Sequence, residues 1–408
     1  MLALRLAWRN LWRHPRRTWL TASAIAFSSL LLIFMITLQL GAYDLFVENS
    51  MRVYLGSLQV QRKGYLDKPQ IRSTVKNAEA LRDGVRQTVM DAPVTLRANA
   101  FALAVSRERS NGVMVVGVDP LTEPRLSTLP GRVQRGRYLQ GGASHEVVLG
   151  VTLARNLKVN VGDELTLLGS AKDGSVAATV APVVGLFDSG TPDIDRGLLQ
   201  MPLGAFQELF GMPDEAHAIV IGHTTGQDFV ALKHAIEARL PNDQTLVVLD
   251  WEALIPGLKQ LIQADIVQNW FMYVSLILVV TFSILNTFFM SVLERTREFG
   301  VLLALGLRPR QIGSLVLLES SLLTLIGLAL GLVGGTSIAY YFYVNGFSFP
   351  GLKEVHAQFG LPGVVTPKIT VVSVLLGPLV IFVFTVLSSI LPTLKIRKLK
   401  PVEAIHTV

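Results

Sequence analysis

The sequence predicts an α-helical membrane protein with four transmembrane helices and a large α+β periplasmic domain of two lobes inserted between helices 1 and 2. Three observations carry this. Thr18–Tyr43, Ile266–Leu293, Ser320–Leu352 and Ile369–Leu394 contain no charged side chain, and each exceeds the roughly 20 helical residues that a hydrocarbon core requires. The 408 residues have a mean hydropathy of +0.46, yet Asp44–Asp265 has scattered charges, with Gly and Pro at turns. Finally, the cations cluster at span ends, where they resist translocation.

Residues 1–17 form an amphipathic segment carrying Arg5, Arg9, Arg13, Arg16 and Arg17. The first span, residues 18–43, follows a pair of arginines as a twin-arginine or secretory signal would. Its apolar run is longer than a signal core, so we read it as a membrane anchor. Arg295, Arg297, Arg308 and Arg310 follow the second span, residues 266–293, and Lys395, Arg397, Lys398 and Lys400 follow the fourth, residues 369–394. The link between spans three and four, residues 345–368, holds only Lys353 and Lys368, partly balanced by Glu354. The positive-inside rule places all three cationic clusters, and both termini, in the cytoplasm, leaving residues 44–265 outside. The net charge of +7 is thereby explained by topology, and no nucleic-acid partner is implied. The absence of Cys excludes disulfides, thiolate metal sites and cysteine nucleophiles, and fits a bacterial inner-membrane protein.

Within the insertion, "SLQVQRKG", "NAEALRDGVRQTV" and "VTLRANAFALAVS" predict strand, helix and strand; "AHAIVIG", "DFVALKHAIEARL" and "QTLVVLDW" repeat the pattern near its end. Between them, about Gly117 to Phe210 is richer in Gly and short strands. We expect one lobe from both ends of the insertion and one from its centre. "WEALIPGLKQLIQADIVQNW" predicts a helix running from Trp251 into span two. Span three, within residues 312–344, places Gly327, Gly331 and Gly335 on one face, where another helix can approach closely. Pro378 and Pro392 predict a kink or an end in span four.

Between spans two and three, residues 294–311 predict a short cytoplasmic helix, stopped at Gly306 and restarted at Pro309. Its charges precede Phe299, Val301, Leu302, Leu303 and Leu305, so it needs a lipid surface or a protein groove. Glu294 and Glu298 interrupt its cationic face, which favours a protein socket. Glu319, near the start of span three, is expected to be a hydrogen-bonded anchor joining this helix to the span; a proton relay would need a second acidic group along the spans.

The stretch "ERTREFGVLLALGLRPRQIGSLVLLESSLL" resembles the ERxxEIGxLxAxGxxxxxI…ES signature of FtsX/MacB-type ABC permeases. "LAWRNLWRHPRRTWLT", "EVVLGVTLARNLKVNVGDELTLL", "PVVGLFDSG" and "IRKLKPVEAIH" are similar to other parts of that family, as is the topology. The resemblance implies that the helix after span two couples to a cytoplasmic ABC ATPase. It implies that role for Glu294, Arg295, Arg297, Glu298, Phe299 (where Ile is usual), Gly300, Leu303 and Gly306. Two ATPase copies, using ATP and Mg, would pair with this chain and a second copy or a paralogue. The chain itself has no GxxxxGK[ST] loop and no Gly-Lys dipeptide, so no cofactor is expected on it and the ATPase must be another polypeptide. His217 and His223 form a weak metal pattern, no serine sits in G-x-S-x-G, and Asp163 suits a turn. The resemblance extends most to the Lol branch, which implies lipoprotein release, with lipoprotein or a periplasmic adaptor as further partners. MacB-like efflux of a peptide or small molecule, FtsX-like signalling to a wall hydrolase, and a lipid-surface sensor without an ATPase are the other readings.

Overall fold

The computed structural model describes residues 2–89, 92–141, 144–222, 229–241, 245–348, 351 and 363–396; His223, Lys353, Glu354 and the cations after Ile396 lie outside them. The chain divides into two compact units, Met1–Asp44 with Ile262–Ser348 and Val364–Val408, and Leu45–Leu261 with Phe349–Gly363.

Helix α1 (Leu2–Leu11) is followed by a turn and by α2 (Pro15–Ser50). Pro15 opens α2 where its missing N–H goes unneeded, and Thr18 Oγ1 donates back to Leu11 O, 2.5 Å away. At its far end α2 passes into a π-helical turn, Met51–Leu55. Gly56 closes that turn at φ +74°, its N–H donating to Met51 O at 2.8 Å. Only glycine fits here, because a Cβ would also lie 2.8 Å from Ile221 O.

The second unit contains β1 (Leu58–Arg62), β2 (Val75–Lys76), α3 (Ala78–Thr88), β3 (Val94–Val105), β4 (Ser110–Val118) and α4 (Glu123–Leu126). It continues with β5 (Val133–Gly136), β6 (Val147–Gly150), α5 (Val151–Leu157), β7 (Glu164–Ser170) and β8 (Val176–Phe187). Then come α6 (Pro192–Gly197), β9 (Leu198–Pro202), α7 (Leu203–Phe210), β10 (Glu215–Ala216), β11 (Ala218–Ile221), α8 (Phe229–Glu237), β12 (Leu246–Asp250) and α9 (Trp251–Leu254). Strands β2 and β10 pair separately, and among the described residues the other ten form one sheet. The run β12-β1-β11-β3 is antiparallel at every pairing. With α3 and α8 as its connections this is the split βαβ arrangement of ferredoxin-like folds, and the two strand–helix–strand patterns expected from sequence are its halves. Its core joins Leu58, Val60, Leu96, Ile219 and Val248 to Val85 of α3 and Ile236 of α8.

The centre differs from the expectation of a lobe beginning near Gly117. Pairing runs β3-β4-β9-β6-β8-β7 and returns to β3, a closed ring of six strands. The long strand β3 belongs to both assemblies: Val94–Arg97 pair with β11, and Ala102–Val105 with β7. A second core packs the alternating Ala98, Ala100, Ala102 and Ala104 of β3 with Val113, Leu149, Leu165, Leu199, Phe206 and Phe210. At the point of sharing, the buried Arg97 guanidinium lies 2.6 Å from the buried Glu123 carboxylate. It also donates to Tyr54 O and stacks 4.4 Å from the Tyr54 ring centroid. A buried charge must be paired and hydrogen-bonded; here the pairing ties β3 to α4 and to the π-helical turn. Burial, the largest influence, lowers the Arg97 pKa, but the charge and hydrogen bond of Glu123, together with Tyr54, hold it above its ordinary value.

Among the described residues the remaining helices are α10 (Pro256–Glu294), α11 (Thr296–Ala304), α12 (Pro309–Asn345) and α13 (Val371–Ile396). Helices α2, α10, α12 and α13 are long and apolar enough to cross a membrane. The helix expected from Trp251 is broken: α9 ends at Leu254, and Ile255 after it has φ −129° and ψ 68°. Pro256 disfavours the helical conformation at the residue before it and can only start a new helix. Pro378 and Pro392, by contrast, lie inside α13. The glycines of span three bring α12 against α2. A Cβ on Gly327 would meet Ile25 Cβ at 2.7 Å, one on Gly331 Ser29 Cβ at 2.6 Å, and one on Gly335 Ile33 Cβ at 3.0 Å. Gly377 of α13 faces Leu32 of α2, and a Cβ on Gly313 of α12 would meet Thr393 Cγ2 of α13 at 2.7 Å, so α2, α12 and α13 each pack against the other two.

Candidate functional site: the α10–α11–α12 corner

Helix α10 stops at Glu294, and Arg295, at φ −101° and ψ 11°, turns the chain into α11. After Ala304 the chain reverses at Gly306, whose φ of +94° favours glycine. Arg308 then caps α12, its N–H donating to Gln311 Oε1 at 2.8 Å. The corner is closed by an apolar cluster of Val292, Phe299, Ile312 and Val316, with Leu302 and Leu303 packed against it. The Phe299 ring is 1% exposed and lies 5.2 Å from the Arg295 guanidinium.

A chain of polar contacts holds this corner. Arg295 Nη1 lies 2.8 Å from Glu319 Oε2 of α12, with both side chains mostly buried. The other Glu319 oxygen accepts from Asn10 Nδ2 of α1 at 2.5 Å. Glu298 accepts from Arg295 Nε at 3.3 Å and lies 3.2 Å from Arg13 Nη1, and Glu294 lies 2.8 Å from Arg17 Nη1. These outer pairs are exposed and each contributes at most about 1 kcal/mol. Removing one partner of the inner Arg295–Glu319 pair would leave a mostly buried charge, at a cost of about 3–5 kcal/mol. A cavity of about 50 Å³ lies beneath, lined by Asn10, Arg13, Arg17, Arg295, Glu298 and Glu319 among others.

The structure thus brings Glu294, Arg295, Glu298, Phe299, Gly300, Leu303 and Glu319 together. Two expectations change. Phe299 fills an apolar cluster of its own chain and is not offered to an external socket. Glu294 and Glu298, expected to favour a protein socket, are matched by Arg17 and Arg13 of the same chain. What remains outward is Arg297, Val301, Leu305, Leu307 and Arg308, all exposed, and neither arginine makes an ion pair among the described residues. Asn10, Arg13 and Arg17 went unread as site residues. Their signal is in the sequence: two arginines four residues apart answer two glutamates four residues apart.

Other candidate chemistry is committed to structure. His217 Nδ1 accepts from Asn99 N at 3.0 Å, its Nε2 lies 3.2 Å from Ile71 O, and its ring stacks on Tyr65. Both nitrogens are occupied, and burial pushes its pKa down to about 4. Asp163 Oδ2 accepts from Asn160 N at 2.7 Å in a turn.

Two family descriptions match. The MacB-like periplasmic core domain matches residues 18–239 and the FtsX-like permease C-terminal domain residues 270–401. The chain belongs to the FtsX/MacB-type ABC permeases. Among relatives of this FtsX/MacB permease, the lipoprotein-releasing system transmembrane protein LolC of Xylella fastidiosa (strain 9a5c) is 24% identical over 315 residues, covering 73% of this chain and 74% of that one. The uncharacterized ABC transporter permease YknZ of Bacillus subtilis is 35% identical over 123 residues, 30% of this chain and 27% of that one. The periplasmic region of MacB from Actinobacillus actinomycetemcomitans aligns at a TM-score of 0.38 and 11% identity, covering 50% of this chain and 94% of that one. In this FtsX/MacB permease the whole α10–α11–α12 corner lies in the second matched stretch. Asn10, Arg13 and Arg17 precede both.

Proposed function

We propose that this ABC permease is the non-catalytic membrane subunit of a complex in which two copies of a separate ATPase, using ATP and Mg, drive release of lipoproteins from the bacterial inner membrane. A second permease copy or a paralogue completes the complex, and both termini lie in the cytoplasm. The observation that carries the coupling role is the Arg295–Glu319–Asn10 network. It fixes α11 to α12 and α1 while leaving outward Val301, Leu305, Leu307 and two arginines without an ion pair among the described residues. A helix clamped on one side and apolar and cationic on the other suits docking to a protein groove. Motion imposed on α11 would pass to α10, one helix of 39 residues and about 58 Å, toward the periplasmic domain. The similarity to LolC across about three-quarters of both chains supports lipoprotein as the substrate.

The test is reconstitution with the ATPase into lipid vesicles carrying a fluorescent triacylated lipoprotein. ATP-dependent transfer of that lipoprotein to a soluble acceptor is the expected result. Hydrolysis without transfer, combined with export of a soluble peptide, would replace lipoprotein release with efflux.

A further inference from the structure

The sequence presents five arginines before the first span as one topological signal. The structure divides them. Arg13 and Arg17 are taken by Glu298 and Glu294, whereas Arg5, Arg9 and Arg16 are exposed and make no ion pair among the described residues. No acidic residue occurs before Asp44, so nothing within this segment can neutralise them.

The same surface carries an aromatic ladder. Trp8 and Trp12 meet edge to face with ring centroids 5.9 Å apart, and Trp12 and Trp19 at 6.1 Å. All three indoles are exposed, together with Leu4 of α1 and with Leu20 and Phe27 further along α2. The ladder is therefore continuous with the apolar outer face of a membrane-crossing helix. Helix α1 cannot roll to hide it, because Ala7 and Leu11 are buried and Asn10 is bonded to Glu319. Tryptophan prefers the depth of the lipid headgroups, and arginine beside it meets their phosphates. A protein groove would accept the indoles, and a soluble anion would accept the arginines. At the mouth of a membrane-crossing helix an acidic lipid surface satisfies both.

We propose that the outer face of α1 and the first turns of α2 bind acidic phospholipid, and that lipid held there seats α1 so that Arg13 and Arg17 clasp the coupling helix α11. Arg5, Arg9 and Arg16 are the lipid-binding arginines; Arg13 and Arg17 pass the effect to Glu298 and Glu294. The inference needs only the membrane placement of the helices and is independent of the substrate.

The test uses the full chain in nanodiscs of phosphatidylcholine with rising phosphatidylglycerol. Of five tryptophans, Trp251 and Trp270 are replaced by Phe, so that quenching by brominated lipid reports Trp8, Trp12 and Trp19. Because the chain has no Cys, spin labels on Leu6→Cys and Ala304→Cys report the α1–α11 distance. Phosphatidylglycerol should increase quenching and narrow the distance distribution. R5Q/R9Q/R16Q should lose both responses, each arginine strengthening attachment to an acidic leaflet by about fivefold, and R5K/R9K/R16K should keep them. R13Q/R17Q should keep the quenching response and lose the narrowing. Identical behaviour in neutral and acidic nanodiscs, or a wild-type response from R5Q/R9Q/R16Q, would overturn the proposal. So would an equal response to inorganic phosphate in neutral nanodiscs, which would mark a soluble-anion site.

Discussion

The guanidinium of Arg295, at the bend between α10 and α11, lies 2.8 Å from the carboxylate of Glu319 on α12. Twenty-four residues apart in sequence, the two groups close the corner through which α11 is attached. Because Glu319 also accepts from Asn10, one carboxylate holds three helices at one point. We expect Glu319→Ala to lower stability by about 3–5 kcal/mol, read as a large fall in the thermal midpoint of the purified chain. Replacing the pair by Arg295→Met with Glu319→Leu should recover most of that stability while leaving ATP hydrolysis poorly coupled to transport. A double variant as unstable as Glu319→Ala would contradict the assignment.

The outer pairs should behave differently. Arg13 and Glu298 are both about half exposed, so Arg13→Glu or Glu298→Arg should change stability by less than about 1 kcal/mol. Each alone should weaken ATPase-coupled transport, and the double swap should restore it only in part, because Arg295 lies 3.3 Å from the same Glu298 carboxylate. Coupling energies from the four proteins provide the check; strict additivity would show that the residues act separately.

These relationships differ in how far the sequence exposes them. The four spans, the short α11 and the Gly306–Pro309 turn follow from local rules: charge-free length, helix propensity, and glycine and proline at their preferred ends. Glu319 stands out because an isolated carboxylate in an apolar helix needs a partner. Its ion-pair partner, Arg295, belongs to the neighbouring coupling segment; its second partner, Asn10, is a long-range matter, decided by how α1 folds back on α12. The shared strand β3 was hidden for the same reason. Its alternating pattern announces a strand, but nothing local says that its two halves have different neighbours. The break at Ile255 was legible in Pro256. The inward placement of Phe299 was not, because its apolar neighbours Ile312 and Val316 lie beyond the turn.

The glycine face offers a graded test of membrane packing. A methyl group on Gly331 would lie 2.7 Å from Ala26 O and 2.6 Å from Ser29 Cβ, so backbone must move. Gly204, with nothing within 4 Å, has room for one. Gly331→Ala should therefore lower the thermal midpoint markedly, and Gly204→Ala should leave it nearly unchanged. Equal midpoints would show that α2 and α12 do not approach along this face.

His217 predicts a pH dependence of the second unit. Its folded pKa is depressed from 6.5 to about 4, so between those values the unfolded chain binds a proton that the folded chain refuses. Stability is then fully present above about 6.5, falls as pH drops toward 4, and levels off below it. The total loss is about 3 kcal/mol. Denaturant melts of the full chain from pH 7 to pH 4.5 should show this slope, and His217→Gln should flatten it. An unchanged slope in the variant would assign the pH dependence to other groups.

The central claim is that α11 receives the ATPase stroke and α10 carries it outward as a stiff rod. Two glycines inserted after Gln263 would soften α10, each glycine weakening a helix interior by about 1 kcal/mol, without touching the Arg295–Glu319 corner. The decisive measurement records ATP hydrolysis and lipoprotein release together, in vesicles holding this permease and its ATPase. We predict continued hydrolysis with release sharply reduced; release equal to that of the unaltered chain would contradict the account.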